Sequence, residues 1–380
     1  ASIDNFTNSG SIIGGTSNKM AGVNLVSGSN IKTFTNESGG FISANKGMLL
    51  AQNSTIENFN NQGTIQGPQV GIETGATINT FTNNGLIKAT GSGQWSNGIW
   101  VSANSNIQTF TNTGTLQGSY SGIIVNENST INNFTNTGTI KGTQTIGPTS
   151  DAKISSGIYF FINTIKTLNN EGLIFGGVMG LNLVGTTIDN FTNKGTIESS
   201  SNNAKATAVG LGNWINDFST IKTFTNEGVL KSNSNGILAE AGNKIDTLIN
   251  KGTIEAGLNG ISFYDYGYLS GSKTELGNII LESGSSIKAG NNGINIDGTS
   301  NKPITVSGSI EVKDNASVSG SNAGIVIGSG KEVSAQITVE GSVTGGAAGI
   351  VNEGTIGSSS EDSSTGGIVV SGGSISSSSG

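Results

Sequence analysis

The side chains that most often do chemistry are nearly absent from this chain. Its 380 residues include no His, no Cys and no Arg, so all 18 basic residues are Lys. Without His, a Ser-His-Asp relay cannot be assembled. Without Cys there is no thiolate nucleophile, no disulfide and no thiolate metal site. Calcium-binding Gly-Gly-x-Gly-x-Asp nonapeptides are missing as well. No catalytic residue, metal or cofactor is therefore expected, and the chain is read as a non-enzyme. Only 11% of residues are charged and the net charge is −7, which argues against nucleic acid, whose backbone selects clustered Lys and Arg. What remains for function is contact: aromatic and amide side chains whose value depends on being held in rows.

A repeat sets those rows. The pattern Ile-x-x-Phe/Leu-x-Asn-x-Gly-x-Ile/Leu begins at Ile3, Ile31, Ile56, Ile78, Ile107, Ile131, Ile165, Ile188, Ile221 and Ile245. From Phe134 the strong positions fall on every second residue (Phe134, Asn136, Gly138, Ile140), the period of a strand. No 3.6-residue period appears. The three-residue step from Ile131 to Phe134 breaks the alternation and predicts a corner or bulge. Asn and Gly are expected to bend the chain by taking left-handed backbone geometry. A second motif, Gly-Ile/Val/Leu-x-Val/Leu/Ile, follows each copy, as in Gly98-Ile99-Trp100-Val101 and Gly122-Ile123-Ile124-Val125. Each coil thus has at least two strands.

Repeats of this length stack so that each coil buries what it cannot bury alone. The expected fold is all-β: a single right-handed parallel β-helix of about 14 coils, the hand following the crossover rule. Residues 1–258 carry the regular repeats, and 259–380 continue the helix with degenerate ones, where the second motif persists at Gly293, Gly324, Gly349 and Gly367. Stacking in register would align Asn8, Asn36, Asn61, Asn83, Asn112, Asn136, Asn170, Asn193, Asn226 and Asn250 into an amide ladder. Phe6, Phe34, Phe59, Phe81, Phe110, Phe134, Phe191 and Phe224 would form a parallel column, with Leu168 and Leu248 substituting. Pro68, Pro148 and Pro303 lie outside both motifs, as strand ladders require. No run of 18 apolar residues exists, and no signal peptide is visible, so the chain reads as a processed or trimmed piece of something longer.

The repeated Ile-x-x-Phe-Thr-Asn-x-Gly-x-Ile, with Gly-Ile-x-Val between copies, resembles the passenger domains of autotransporters. The likeness is to the vacuolating-cytotoxin-like and adhesin passengers of spiral-shaped Gram-negative bacteria, and it covers essentially the whole chain. It implies export across the outer membrane by a C-terminal β-barrel translocator outside this chain, display at the bacterial cell surface, and adhesion. The partners it implies are a host-cell surface protein or glycan, or sister passenger chains.

The candidate contact residues follow from the second motif, whose middle residue points outward. Successive coils would present Asn24, Leu49, Glu73, Trp100, Ile124, Tyr159 and Asn182, so that Trp100, Ile124 and Tyr159 make an exposed apolar row. The insertion 143–156 is placed to fold over that row. Insertions 90–97, with Trp95, and 199–219, with Trp214 and Phe218, are polar loops able to carry recognition. Tyr264 and Tyr266, in the segment 263–268, mark either a second contact point or a transition between two cross-sections. Asn295-Ile-Asp297-Gly298 faintly resembles the Asn-Thr-Asp piece of pectin-hydrolase sites, but the paired Asp, the Gly-His-Gly and the Arg-x-Lys pieces are missing, and with them the carboxylate pair such hydrolysis needs. The leading expectation is an adhesin. A toxin subunit, a polysaccharide-degrading enzyme and a passive stalk remain as alternatives.

Overall fold

A computed structural model describes the chain except for residues 18–19, 94, 145–154, 215–216, 265–273, 299–303, 358–365 and 379–380, with backbone alone at 213, 214 and 264. Every described regular element is a strand, and the fold is an all-β parallel solenoid. Three strands make each coil, and the described residues hold 14 strands of the second kind. The chain divides into two compact units, Ala1–Asn182 and Leu183–Gly380.

In the first unit, one coil shows the logic. Thr77–Asn83, Leu86–Ala89 and Asn97–Val101 are its three strands. Ile78, Phe81, Asn83, Ile87, Ile99 and Val101 point inward and are fully buried. The first motif, expected as one bent strand, is therefore two strands joined at the Asn-x-Gly corner. Within Thr77–Asn83 the register passes from Ile78↔Ile107 to Thr80↔Thr109, leaving Asn79 and Gln108 outside the paired set. The break in alternation is thus a bend inside one continuous strand, shared by neighbouring strands, each of which skips one residue with the register kept.

Like side chains meet in every described coil of this unit. Phe6, Phe34, Phe59, Phe81, Phe110 and Phe134 stack with ring centroids 4.5–5.1 Å apart. From Phe59 to Phe110 neighbouring ring planes differ by only 3°. The column passes to Leu168, and Phe160 sets its edge against Phe134 at 87°. Beside it, Asn8, Asn36, Asn61, Asn83, Asn112, Asn136 and Asn170 form one directed chain. Each Nδ2 donates to the Oδ1 of the next coil's Asn at 2.7–2.8 Å. The same nitrogen donates to the corner glycine's carbonyl, as from Asn83 to Gly85 at 3.2 Å. The amide dipoles point one way, so neighbours polarise one another.

The corner glycines have a different reason from the one expected. Gly63, Gly85, Gly114 and Gly138 are not in the left-handed region. A Cβ at Gly85 would lie 2.1 Å from the Gly63 carbonyl oxygen, so glycine is required by the close approach of stacked backbones. Left-handed residues occupy the other corner, between third and first strands: Gly28, Asn53, Asn104 and Asn128, with φ of 57–74°. There, at the end of the sixth coil, stands Ile162 with φ 53°, a costly conformation for a β-branched residue.

The second unit opens with the same chemistry. Phe191 and Phe224 stack at 4.2 Å, and Asn193, Asn226 and Asn250 continue the amide pattern at 2.8 Å. It then changes. Asn250 pairs in register with Leu281, and Leu248 with Ile279. From there the columns are aliphatic: Ile279, Ile310, Ile337 and Ile368 in one, Leu281, Val312, Val339 and Val370 in the other. The first strand also splits, into Ile304–Val306 and Ile310–Val312 and then Glu332–Val333 and Gln336–Val339. The insertion 199–219, read as a loop, contains an extended third strand, Thr207–Trp214, that returns as an antiparallel pair with Asp217–Phe218.

Candidate functional site

The outward middle residues of the third strands share one register in the first unit. Asn24 pairs with Leu49, Leu49 with Glu73, Glu73 with Trp100, Trp100 with Ile124, and Ile124 with Tyr159. Parallel pairing fixes this because inward Ile99, Ile123 and Ile158 stack on one another, and the pleat turns the next residue out. Neighbouring rows lie about 4.8 Å apart.

The row is not uniformly exposed. Ile124, expected on an open surface, is only 4% exposed, since its larger neighbours Trp100 and Tyr159 flank it on both sides. Asn182 is also buried. Trp100 and Tyr159 are half-buried. Trp95, 50% exposed, sets its ring 5.2 Å from that of Trp100 at 35°. The insertion carrying Trp95 is anchored: Asn97 Nδ2 donates to the Trp95 carbonyl at 3.1 Å, and Ser96 Oγ to that of Pro68 at 3.3 Å. On the far side Phe161 lies 6.1 Å from Tyr159.

Tyr120 joins the group from the turn before its strand and is 8% exposed. Burial first, and then the neighbouring Tyr159, push its phenol above the ordinary value. Burial pushes Tyr159 up to about 12. Both therefore stay neutral hydroxyls across the physiological range. Glu73, the row's carboxylate, is paired with Lys46 of the preceding coil.

Phe161, Tyr120 and Ile162 were not singled out from sequence. Phe161 carried a signal, since it is two residues beyond Tyr159 and so on the same face of the strand. Tyr120 precedes its motif and carried none.

The other candidates fare differently. Trp214 lies in a strand, but its side chain is outside the described residues. Tyr264 ends the strand Ile261–Tyr264, its backbone paired with Glu240, and its side chain is likewise outside them, as is all of Tyr266. Residues 145–154 of the insertion beside Tyr159 also fall outside. Asn295 accepts a hydrogen bond from Asn292 Nδ2 at 2.8 Å, so its amide is engaged within its own coil. Among the described residues no three His, Cys, Asp or Glu side chains gather as a metal site, and no helix is long and apolar enough to cross a membrane. Compared with known proteins, the chain matches no family model, no curated protein and no solved structure. A parallel β-solenoid is compatible with an autotransporter passenger.

Proposed function

We propose that this chain is a non-enzymatic adhesin, the secreted passenger region of an autotransporter, displayed at the bacterial surface. It would bind host cells or matrix, or sister chains, through the outer side of its third strands. One observation carries the reading: Trp100, Ile124 and Tyr159 stand in register on three successive coils, with Trp95 packed against Trp100. Aromatic residues held rigidly near the centre of a contact surface contribute most to protein association. A stiff stack can also repeat weak contacts, which multivalency sums. The non-enzyme reading rests on the absence of His, Cys and Arg from the sequence.

The test is adhesion of the purified chain to epithelial monolayers and to itself. Replacing Trp100 and Tyr159 with Ser should weaken adhesion about tenfold or more while the β-sheet circular dichroism is kept. A well-folded double variant that adheres like the parent would remove this face as the site.

A further inference from the structure

A strained residue ends the strand that carries Tyr159. Ile162 has φ 53° and is the one β-branched residue in the left-handed region among the described residues. That conformation crowds a branched Cβ against its own backbone. Residues held this way cluster at binding and active sites, where the strain is kept for function.

The corner itself does not require Ile. On the coil before, Val125 is followed by Asn126, Glu127 and the left-handed Asn128. Val125 pairs with Phe160, yet here the left-handed residue comes one place sooner, so Phe161 and Ile162 stand in for Asn126, Glu127 and Asn128. A corner shortened in the same way follows Leu183, and its left-handed site holds Gly185 with φ 60°. Glycine meets that backbone requirement without strain. The hydrogen bonds at the corner do not select Ile either. The Ile162 carbonyl accepts from the Asn128 N–H at 2.8 Å, and Asn163 Nδ2 donates to the Asn126 carbonyl at 2.6 Å. Both bonds are open to any residue at 162. What Ile adds is a half-buried apolar side chain next to Phe161 in the chain.

We infer that Ile162 is a further contact residue of the aromatic face, kept in a strained backbone because its side chain meets the occupant. This role rests on the adhesin reading and extends its site past Tyr159. Tyr159 and Phe161 lie two apart on one strand and turn to the same side, with ring centroids 6.1 Å apart. Ile162 carries that apolar edge into the corner, where the coil before places polar Asn126 and Glu127. The signature of such a residue is that stability and adhesion move in opposite directions when it is replaced.

The experiment compares whole-chain variants with the parent in thermal unfolding and in adhesion to epithelial monolayers and to the chain itself. Ile162→Asn and Ile162→Gly should raise the thermal midpoint by about 2–4 °C and weaken adhesion about threefold to tenfold. Ile162→Val keeps both the strain and the apolar branch, and should match the parent in both. A stabilised Ile162→Asn chain that adheres like the parent overturns the inference. The adhesin reading then still stands if replacing Trp100 and Tyr159 with Ser weakens adhesion. A lowered midpoint overturns the inference as well, because packing within the fold would then account for Ile162. A parent chain that adheres to neither surface would end both.

Discussion

The interior of the first unit and the later coils of the second solve the same stacking problem with different chemistry. In the first, Phe rings and Asn amides climb together, and each amide hydrogen-bonds the one above. In the second, from Leu276 onward, Ile, Leu and Val fill both columns, and in the coils after Leu281 the first strand breaks in two. The amide chain accepts one register only, because a slip of one residue would leave buried donors and acceptors unpaired. Aliphatic columns are tolerant, since any side chain of similar volume fits. The outer faces differ in parallel. The second unit carries ion pairs between coils, such as Lys222 with Asp189 at 2.7 Å and Lys251 with Glu227 at 3.2 Å. Pairs this exposed contribute little. The first unit carries a less exposed pair, Lys46 with Glu73, and beside it the aromatic row. Strict register inside and a placed row outside go together: the outer residues are only as well positioned as the columns beneath them.

The largest expected effect tests that difference. Asn112→Leu strands the donor of Asn83 and the acceptor of Asn136 inside the core, and should cost about 2–4 kcal/mol in chemical denaturation. Leu281→Met, at the same column position in the second unit, should cost under about 1.5 kcal/mol. Equal costs would break the comparison. A smaller effect sharpens it. Ile162 occupies the corner site where other coils place Asn or Gly, so Ile162→Asn should stabilise by about 1 kcal/mol. A fall in the thermal midpoint would show that packing of the Ile162 side chain outweighs its backbone strain.

Much of this was legible in the sequence because the columns are written there directly. Ile, Phe and Asn recur at fixed offsets, and only inward positions of a stack need such constancy. Three features are not legible in a single copy of the repeat, each for a physical reason. Asn-x-Gly reads as left-handed turn chemistry, yet Gly85 is needed for backbone proximity to the next coil, which no single copy can show. The left-handed corner at Asn53, Asn104 and Asn128 carries a constant Asn-Ser ahead of Ile56, Ile107 and Ile131, a signal lying just outside the repeat when it is read from its Ile. Ile124 follows the alternation outward but is covered by neighbours from other coils, and burial across coils is not a property of its own strand.

The most direct test of register uses the absence of cysteine. Thr80 and Thr109 are paired neighbours on adjacent coils, with α-carbons expected about 4.8 Å apart, within disulfide reach. Thr80 and Thr111 are two residues out of register, about 8 Å apart and beyond it. Under mild oxidation, Thr80→Cys with Thr109→Cys should form an intramolecular disulfide in nearly every molecule, and Thr80→Cys with Thr111→Cys should remain reduced. Equal oxidation of both pairs, or of the second alone, would contradict in-register stacking and everything built on it.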